Sequence, residues 1–187
     1  MTLEFIMKLT LFLAVSAWLA YISRGSLRIP RSHGFYRYFA WVCILALFLL
    51  NVGEWLRNPF SPSQLISWIL LIISGFLILH AVYLLRRYGR QDKKRENVPL
   101  ISIEKTTKLV TTGAYRYIRH PMYSSLLFLG WGIFFKRPSW AAGIIAIVTT
   151  CFIVGTAKAD EAESLRFFGA PYGEYMKRTK MFIPFLF

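Results

Sequence analysis

Charge is scarce in this chain: only 17% of its 187 residues are Asp, Glu, Lys or Arg, against about 25% in a soluble domain. That deficit excludes an ordinary water-facing surface and requires lipid to replace much of the surrounding water. Acidic residues are scarcer still, nine against 23 Lys and Arg, leaving a formal net charge of +14. Cysteine is limited to Cys43 and Cys151, both in apolar runs without metal-ligand spacing. They read as small buried hydrophobes and say nothing of redox compartment. No Gly-x-Gly-x-x-Gly follows a strand, which removes the soluble dinucleotide-binding fingerprint. Gly130-Trp131-Gly132 instead sits inside an apolar run and reads as a close helix contact.

What is abundant is apolar surface, 56% hydrophobic residues with 17% aromatic overall. It falls into five runs, at residues 5–22, 38–56, 65–85, 121–135 and 140–157. A bilayer crossing takes about 20 residues as helix, so the fold class is an all-α polytopic membrane bundle of about five transmembrane helices. The first run could pass for a signal peptide behind Lys8, but no small-x-small cleavage site precedes Arg24 and further spans follow. The fourth is short for a crossing, and with the fifth it could form a re-entrant hairpin only if Lys136 and Arg137 were buried. Five crossings are the expectation, with residues 1–187 as one membrane domain.

The positive charge lies in alternate loops rather than in a nucleic-acid footprint. Arg24, Arg28, Arg31 and Arg37, ten basic residues between 86 and 119, and Lys158, Arg166, Lys177, Arg178 and Lys180 fall on one side. Only Lys8, Arg57, Lys136 and Arg137 fall on the other. The positive-inside rule therefore places the N-terminus outside, and the long loop and C-terminal tail in the cytoplasm.

Polar chemistry is concentrated on two segments flanking the last two spans. In the first, Gly113 permits a turn, Pro121 opens a helix whose free N–H groups face the cytoplasm, and Arg119 and His120 sit beside them. Tyr115, Tyr117 and Tyr123 add aromatic faces; an interfacial belt of Tyr and Arg is the alternative reading. In the second, Lys158, Asp160, Glu161 and Glu163 continue the last span, Phe168-Gly169 stops it, and Pro171 starts a new helix. Tyr172, Tyr175 and Met176 share one face of that helix. A solvated amphipathic helix paired with the basic loop explains this second segment equally well. Elsewhere, Asn51 and Glu54 near the end of the second span and His80 in the third read as packing or interface residues.

Gly113-x-Tyr115-Arg116-Tyr117-x-Arg119-His120-Pro121-Met122-Tyr123, followed by Asp160-Glu161, Phe168-Gly169-x-x-Tyr172-x-x-Tyr175, Arg178 and Ile183-Pro184, resembles the isoprenylcysteine carboxyl methyltransferase and phospholipid N-methyltransferase superfamily. The resemblance covers roughly residues 109–184. Asp160 stands where the family has Glu, Ser164 where it has Leu, and Arg178-Thr179-Lys180 where it has Arg-Val-Pro. It implies a membrane-embedded enzyme that binds S-adenosylmethionine at the cytoplasmic face; residues 1–85, the three N-terminal spans, show no distinctive match. Residues 86–187 then form the catalytic half, comprising a cytoplasmic cofactor-binding loop, two spans and C-terminal helices. Methyl transfer needs no metal, and none is expected.

The cofactor's carboxylate suits His120, Arg119 and the helix opened by Pro121. Asp160 or Glu161 suits its ammonium or ribose, and Tyr115, Tyr117, Tyr123, Tyr172 and Tyr175 suit adenine or the cation. Glu161 as base and Arg178 as the orienting cation form the expected reaction-side pair. The expected acceptor is lipophilic or small: a prenylated cysteine, a phospholipid amine or a thiol. The competing readings are an NADPH-dependent sterol-type reductase, which shares a similar Arg-His-Pro-x-Tyr region, and a non-catalytic small membrane protein.

Overall fold

The computed structural model describes residues 3–89 and 107–186. The basic stretch 90–106, within the expected cofactor-binding loop, therefore lies outside the described residues. Among the described residues seven α-helices follow in order: α1 (Leu3–Ile22), α2 (Arg24–Leu27), α3 (His33–Asn51), α4 (Pro62–Tyr88), α5 (Pro121–Phe134), α6 (Trp140–Phe168) and α7 (Ala170–Arg178). Short 3-10 turns cover Val52–Glu54 and Gly113–Arg116. No strand occurs among the described residues, which hold one parallel bridge between Ile118 and Lys180. Helices α1, α3 with its 3-10 extension, α4 and α6 are long and apolar enough to cross a membrane, and α5 is shorter. The chain is an all-α integral membrane bundle.

Helices in lipid associate through small residues and buried hydroxyls rather than by expelling water. Along α4, Ser67 and Ser74 face α5, each donating a 2.7 Å hydrogen bond, to the carbonyls of Gly132 and Ser125 respectively. A Cβ on Gly132 would stand 3.0 Å from Leu71, so the glycine sets the α4–α5 approach. Helices α3 and α6 pack in the same manner, Ala40, Ile44 and Leu47 facing Ala142, Ala146, Ile153 and Ala157. Thr149, Thr150 and Thr156 return their hydroxyls to carbonyls four residues back, so these three hydroxyls are satisfied within α6. Helix α1 packs beside α3 and buries no residue, so its apolar surface is left for lipid.

Helix α5 has 14 residues, roughly 21 Å at 1.5 Å per residue, short of the ~30 Å hydrocarbon core. It nevertheless traverses the bundle. At its far end Lys136 donates to Gln64 Oε1 at 3.0 Å, and Arg137 reaches Glu54 at 3.3 Å beside the α3–α4 turn. Lys136 is buried, 3% exposed, with its ammonium 3.3 Å from the Trp68 ring centroid and 5.2 Å from that of Trp55. Arg137 remains exposed, so the burial of both cations that the hairpin alternative needs is not met. Asn51, read from sequence as a helix contact, donates to the Ile133 carbonyl at 3.0 Å.

The Lys136 seal makes a testable demand. Lys136→Ala removes a desolvated cation from two indole faces, an interaction worth about 2 kcal/mol, and leaves Gln64 Oε1 without its donor. Its melting temperature in detergent is expected to fall well below that of Lys136→Met, which refills the box. Equal melting of both variants and the parent chain would show the box to be incidental.

Helix length also sets the depth of the site. Ser74 of α4 lies against Ser125 near the start of α5, yet α4 continues to Tyr88, roughly 20 Å further. Helix α6, 29 residues long, likewise outruns α5. The N-terminus of α5 is therefore recessed between two overhanging walls.

Candidate active site

The turn before α5 is built around Gly113. Its φ of +60° is left-handed, and a Cβ there would stand 2.6 Å from Leu84 and 2.7 Å from His80 Nε2, so only glycine fits. His80 itself stacks on Phe76, as expected of a packing histidine. The turn is clamped to the C-terminal segment by the Tyr175 hydroxyl, which donates to the Tyr115 carbonyl at 2.6 Å. Backbone bonds from Arg119 to the Lys180 carbonyl at 2.7 Å, and from Lys180 to the Tyr117 carbonyl at 3.0 Å, complete the clamp. Gly169, at φ +65°, lets α6 stop and α7 turn back across this segment. Tyr172 and Tyr175 then point inward from α7.

Four charged side chains meet where these segments cross. Arg119 Nε donates to Glu161 Oε1 at 2.6 Å, and its Nη1 donates to the carbonyls of Met176 and Thr179. His120 faces two carboxylates, Nε2 at 3.3 Å from Glu161 and Nδ1 at 3.4 Å from Asp160. Its ring stacks on Tyr123, centroids 5.3 Å apart. Pro121 serves as the first residue of α5, where its missing N–H costs nothing.

Burial works against the charged form of His120, but hydrogen bonds to Asp160 and Glu161 outweigh it and hold the imidazole above its ordinary value. Burial likewise disfavours the Glu161 carboxylate, and His120 and Arg119 outweigh that, keeping it below the usual range. Burial, reinforced by the neighbouring carboxylates at Tyr172, pushes the phenols of Tyr172 and Tyr175 upward, so both remain protonated donors.

These shifts predict a stability window. The His120 contribution is complete below its unfolded value, about 6.5, and disappears as pH rises through the higher folded value. The Glu161 contribution is complete above about 4.3 and disappears as pH falls through its depressed folded value. Melting temperature in detergent should therefore decline on both flanks. His120→Gln should remove the alkaline decline and keep the acidic one; an unchanged alkaline flank in that variant would refute the assignment.

A cavity of about 100 Å³ opens over this cluster. Its walls include Leu85 from the overhang of α4, Leu109, Val110, Tyr115, Arg119, His120, Met122 and Tyr123, then Asp160, Ser164 and Phe168 from the overhang of α6, and Tyr172 and Tyr175 from α7. Of the residues singled out from sequence, Tyr115, Arg119, His120, Tyr123, Asp160, Tyr172 and Tyr175 are brought together here. Four are not on the cavity wall, Pro121 among them as the buried first residue of α5. Glu161 lies behind it, 11% exposed and engaged by Arg119 and His120. Tyr117 points outward against Phe185. Arg178 is exposed and lines outer depressions on either side of α7.

Sequence reasoning overlooked Leu85, Leu109, Val110, Met122 and Ser164 as wall residues; Ser164 had a signal, one helical turn beyond Asp160. Glu163, named in the acidic segment but given no role, turns to the other side of α6. There it accepts from the backbone N–H of His33 at 3.2 Å and meets His33 Nδ1 at 2.7 Å, tying α3 to the acidic turn of α6. Among the described residues no group of His, Cys, Asp and Glu could hold a metal ion.

A helical membrane bundle with a recessed acidic and aromatic cavity at one polar end defines a class of small membrane-embedded proteins. The phospholipid methyltransferase family model matches residues 63–169, from the start of α4 to the end of α6. The chain belongs to that family. It is 34% identical to a protein-S-isoprenylcysteine O-methyltransferase B of Arabidopsis thaliana, over 74% of this chain and 72% of that one. It is 29% identical to a methanethiol S-methyltransferase of Crocosphaera subtropica, over 65% of this chain and 44% of that one. A human protein-S-isoprenylcysteine O-methyltransferase is 28% identical, over 70% and 47%. The chain spans about half the length of the methanethiol S-methyltransferases it matches.

Proposed function

We propose that this chain is an S-adenosylmethionine-dependent membrane methyltransferase whose acceptor is a thiol or carboxylate, small or lipid-borne, reached at the cytoplasmic membrane face. The observation that carries this reading is the cavity itself, which offers a carboxylate, Asp160, among the rings of Tyr115, Tyr123, Phe168 and Tyr172. A carboxylate ringed by aromatic faces suits a cation, and both the ammonium and the sulfonium of S-adenosylmethionine are cations.

The enclosed volume matches only one end of that cofactor, since even a benzene-sized guest fills a cavity of about 150 Å³. Binding the whole molecule requires enlargement. Leu109 and Tyr175, which also line a neighbouring depression of about 560 Å³, stand between the two spaces, and displacement of Leu109 would join them.

When bound, the cofactor supplies an electrophilic methyl group. Asp160 orients the cationic end. Arg119 and His120 are balanced by Glu161 and Asp160 together, and this pairing holds the Asp160 wall in register, so the role of Arg119, His120 and Glu161 is to fix geometry. Glu161, locked by Arg119 and held below the usual carboxylate range, is a weak base. Asp160, partly exposed at 28%, is the carboxylate available to receive a thiol proton, and a carboxylate acceptor needs no base. Arg178 has no part in this arrangement. The overhangs of α4 and α6 keep the reaction below the level of their polar ends and away from bulk water.

Calorimetric titration of detergent-purified protein with S-adenosylhomocysteine, with NADPH in parallel, tests the reading. Saturable binding of the first alone is expected. Binding of NADPH alone would replace the reading with a reductase, and binding of neither would favour a non-catalytic membrane protein.

A further inference from the structure

The cations that the catalytic reading leaves unused are not scattered. Arg178 and Lys180 line a groove of about 370 Å³ beside α7, together with Arg119, Lys177, Met181 and Leu186. No acidic side chain lines it. Among the described residues Lys177 has an ion-pair partner, Glu174 at 2.7 Å, whereas none is recorded for Arg178 or Lys180. Immediately beyond the groove the chain exposes two large apolar side chains in succession, Phe185 at 83% and Leu186 at 75%. Phe185 lies against the exposed Tyr117 ring, 6.3 Å between centroids. Cations flanked by exposed aromatic and aliphatic side chains, at the end of a membrane bundle, match a phosphate with acyl chains attached.

We infer that this groove binds the headgroup of an anionic glycerophospholipid, its phosphate between Arg178 and Lys180 and its acyl chains along Leu186 and Phe185. The site lies outside the cavity but is joined to it, because the Arg119 side chain forms part of both walls. Arg119 also holds Glu161 and the carbonyls of Met176 and Thr179. A phosphate in the groove therefore adds a second anion to the guanidinium that positions the catalytic cluster. On the methyltransferase reading, on which this coupling rests, anionic lipid sets the affinity of the cofactor site.

The test uses the full chain in nanodiscs of phosphatidylcholine, with and without phosphatidylglycerol, and counts retained lipid by native mass spectrometry. Phosphatidylglycerol should be enriched on the parent protein. The double variant Arg178→Gln/Lys180→Gln should lower that retention by at least about tenfold, whereas Arg24→Gln/Arg28→Gln, a control for diffuse positive charge, should not. Enrichment surviving the double variant, or equal loss in the control, would overturn the site. Displacement of the lipid by millimolar inorganic phosphate would show a free-anion site instead of a lipid site.

S-adenosylhomocysteine affinity in the two lipid compositions reads the coupling. A severalfold dependence in the parent, absent in the double variant, supports it; equal affinity in both compositions removes it. Lipid retention without any S-adenosylhomocysteine binding would sink the methyltransferase reading while supporting the groove.

Discussion

Glu161→Ala is expected to abolish measurable S-adenosylhomocysteine binding and to destabilise the protein by about 3–5 kcal/mol, the cost of removing one partner from a buried ion pair. The size of the effect follows from connectivity. Glu161 Oε1 accepts from Arg119 Nε at 2.6 Å and lies 3.3 Å from His120 Nε2. Removing the carboxylate leaves a guanidinium in a largely buried position with only backbone carbonyls around it. It also removes one of the two anions that hold His120 charged. Because Arg119 fastens Met176 and Thr179, the loss spreads to the clamp that seats α7. Chemical denaturation in detergent and calorimetry on the same preparation check both effects. Normal stability with normal binding would show that the cluster is decorative.

Asp160→Asn is expected to behave differently, lowering S-adenosylhomocysteine affinity about thirtyfold with a smaller loss of stability than Glu161→Ala. The substitution keeps the shape of the side chain and removes only its charge. Hydrogen bonds to charged groups are worth about 1.5–3 kcal/mol, and about 2 kcal/mol corresponds to that factor. Asp160 is a partly exposed wall residue whose partner is His120 Nδ1 at 3.4 Å, so the fold depends on it less than on Glu161. If it also receives the acceptor's proton, turnover of thiol acceptors should fall further than turnover of carboxylate acceptors. Unaltered affinity in Asp160→Asn would remove the cation-binding role from the cavity. The contrast between adjacent residues of one helix separates a recognition group from a positioning group.

Much of this was legible before any coordinates. Five apolar runs became four long helices and the shorter α5, because in lipid every backbone donor must be satisfied within its own segment. The helix starting at Pro121 and the break at Phe168-Gly169 follow from proline's missing N–H and from glycine's tolerance of positive φ. The co-location of Tyr115, Arg119, His120, Tyr123, Asp160, Tyr172 and Tyr175 was legible as a motif. Their orientation was not.

Residue types and helical spacing thus determined the class, the membrane-spanning segments and the pool of polar groups available for chemistry, since these depend on hydrophobicity and on local backbone constraints. Tertiary structure alone decided which of those groups face the cavity. Asp160 and Glu161 are chemically equivalent neighbours, yet about 100° of helical rotation turns one to the cavity and the other to Arg119. Arg178 and Tyr117, plausible by motif, are carried to the outer surface by the seating of α7 and the clamp around Gly113. Lys136, a loop cation by sequence, is buried only because Trp55, Trp68 and Gln64 arrive from two other helix ends. Side-chain direction and long-range pairing arise from packing between segments far apart in the chain, and no local pattern encodes them.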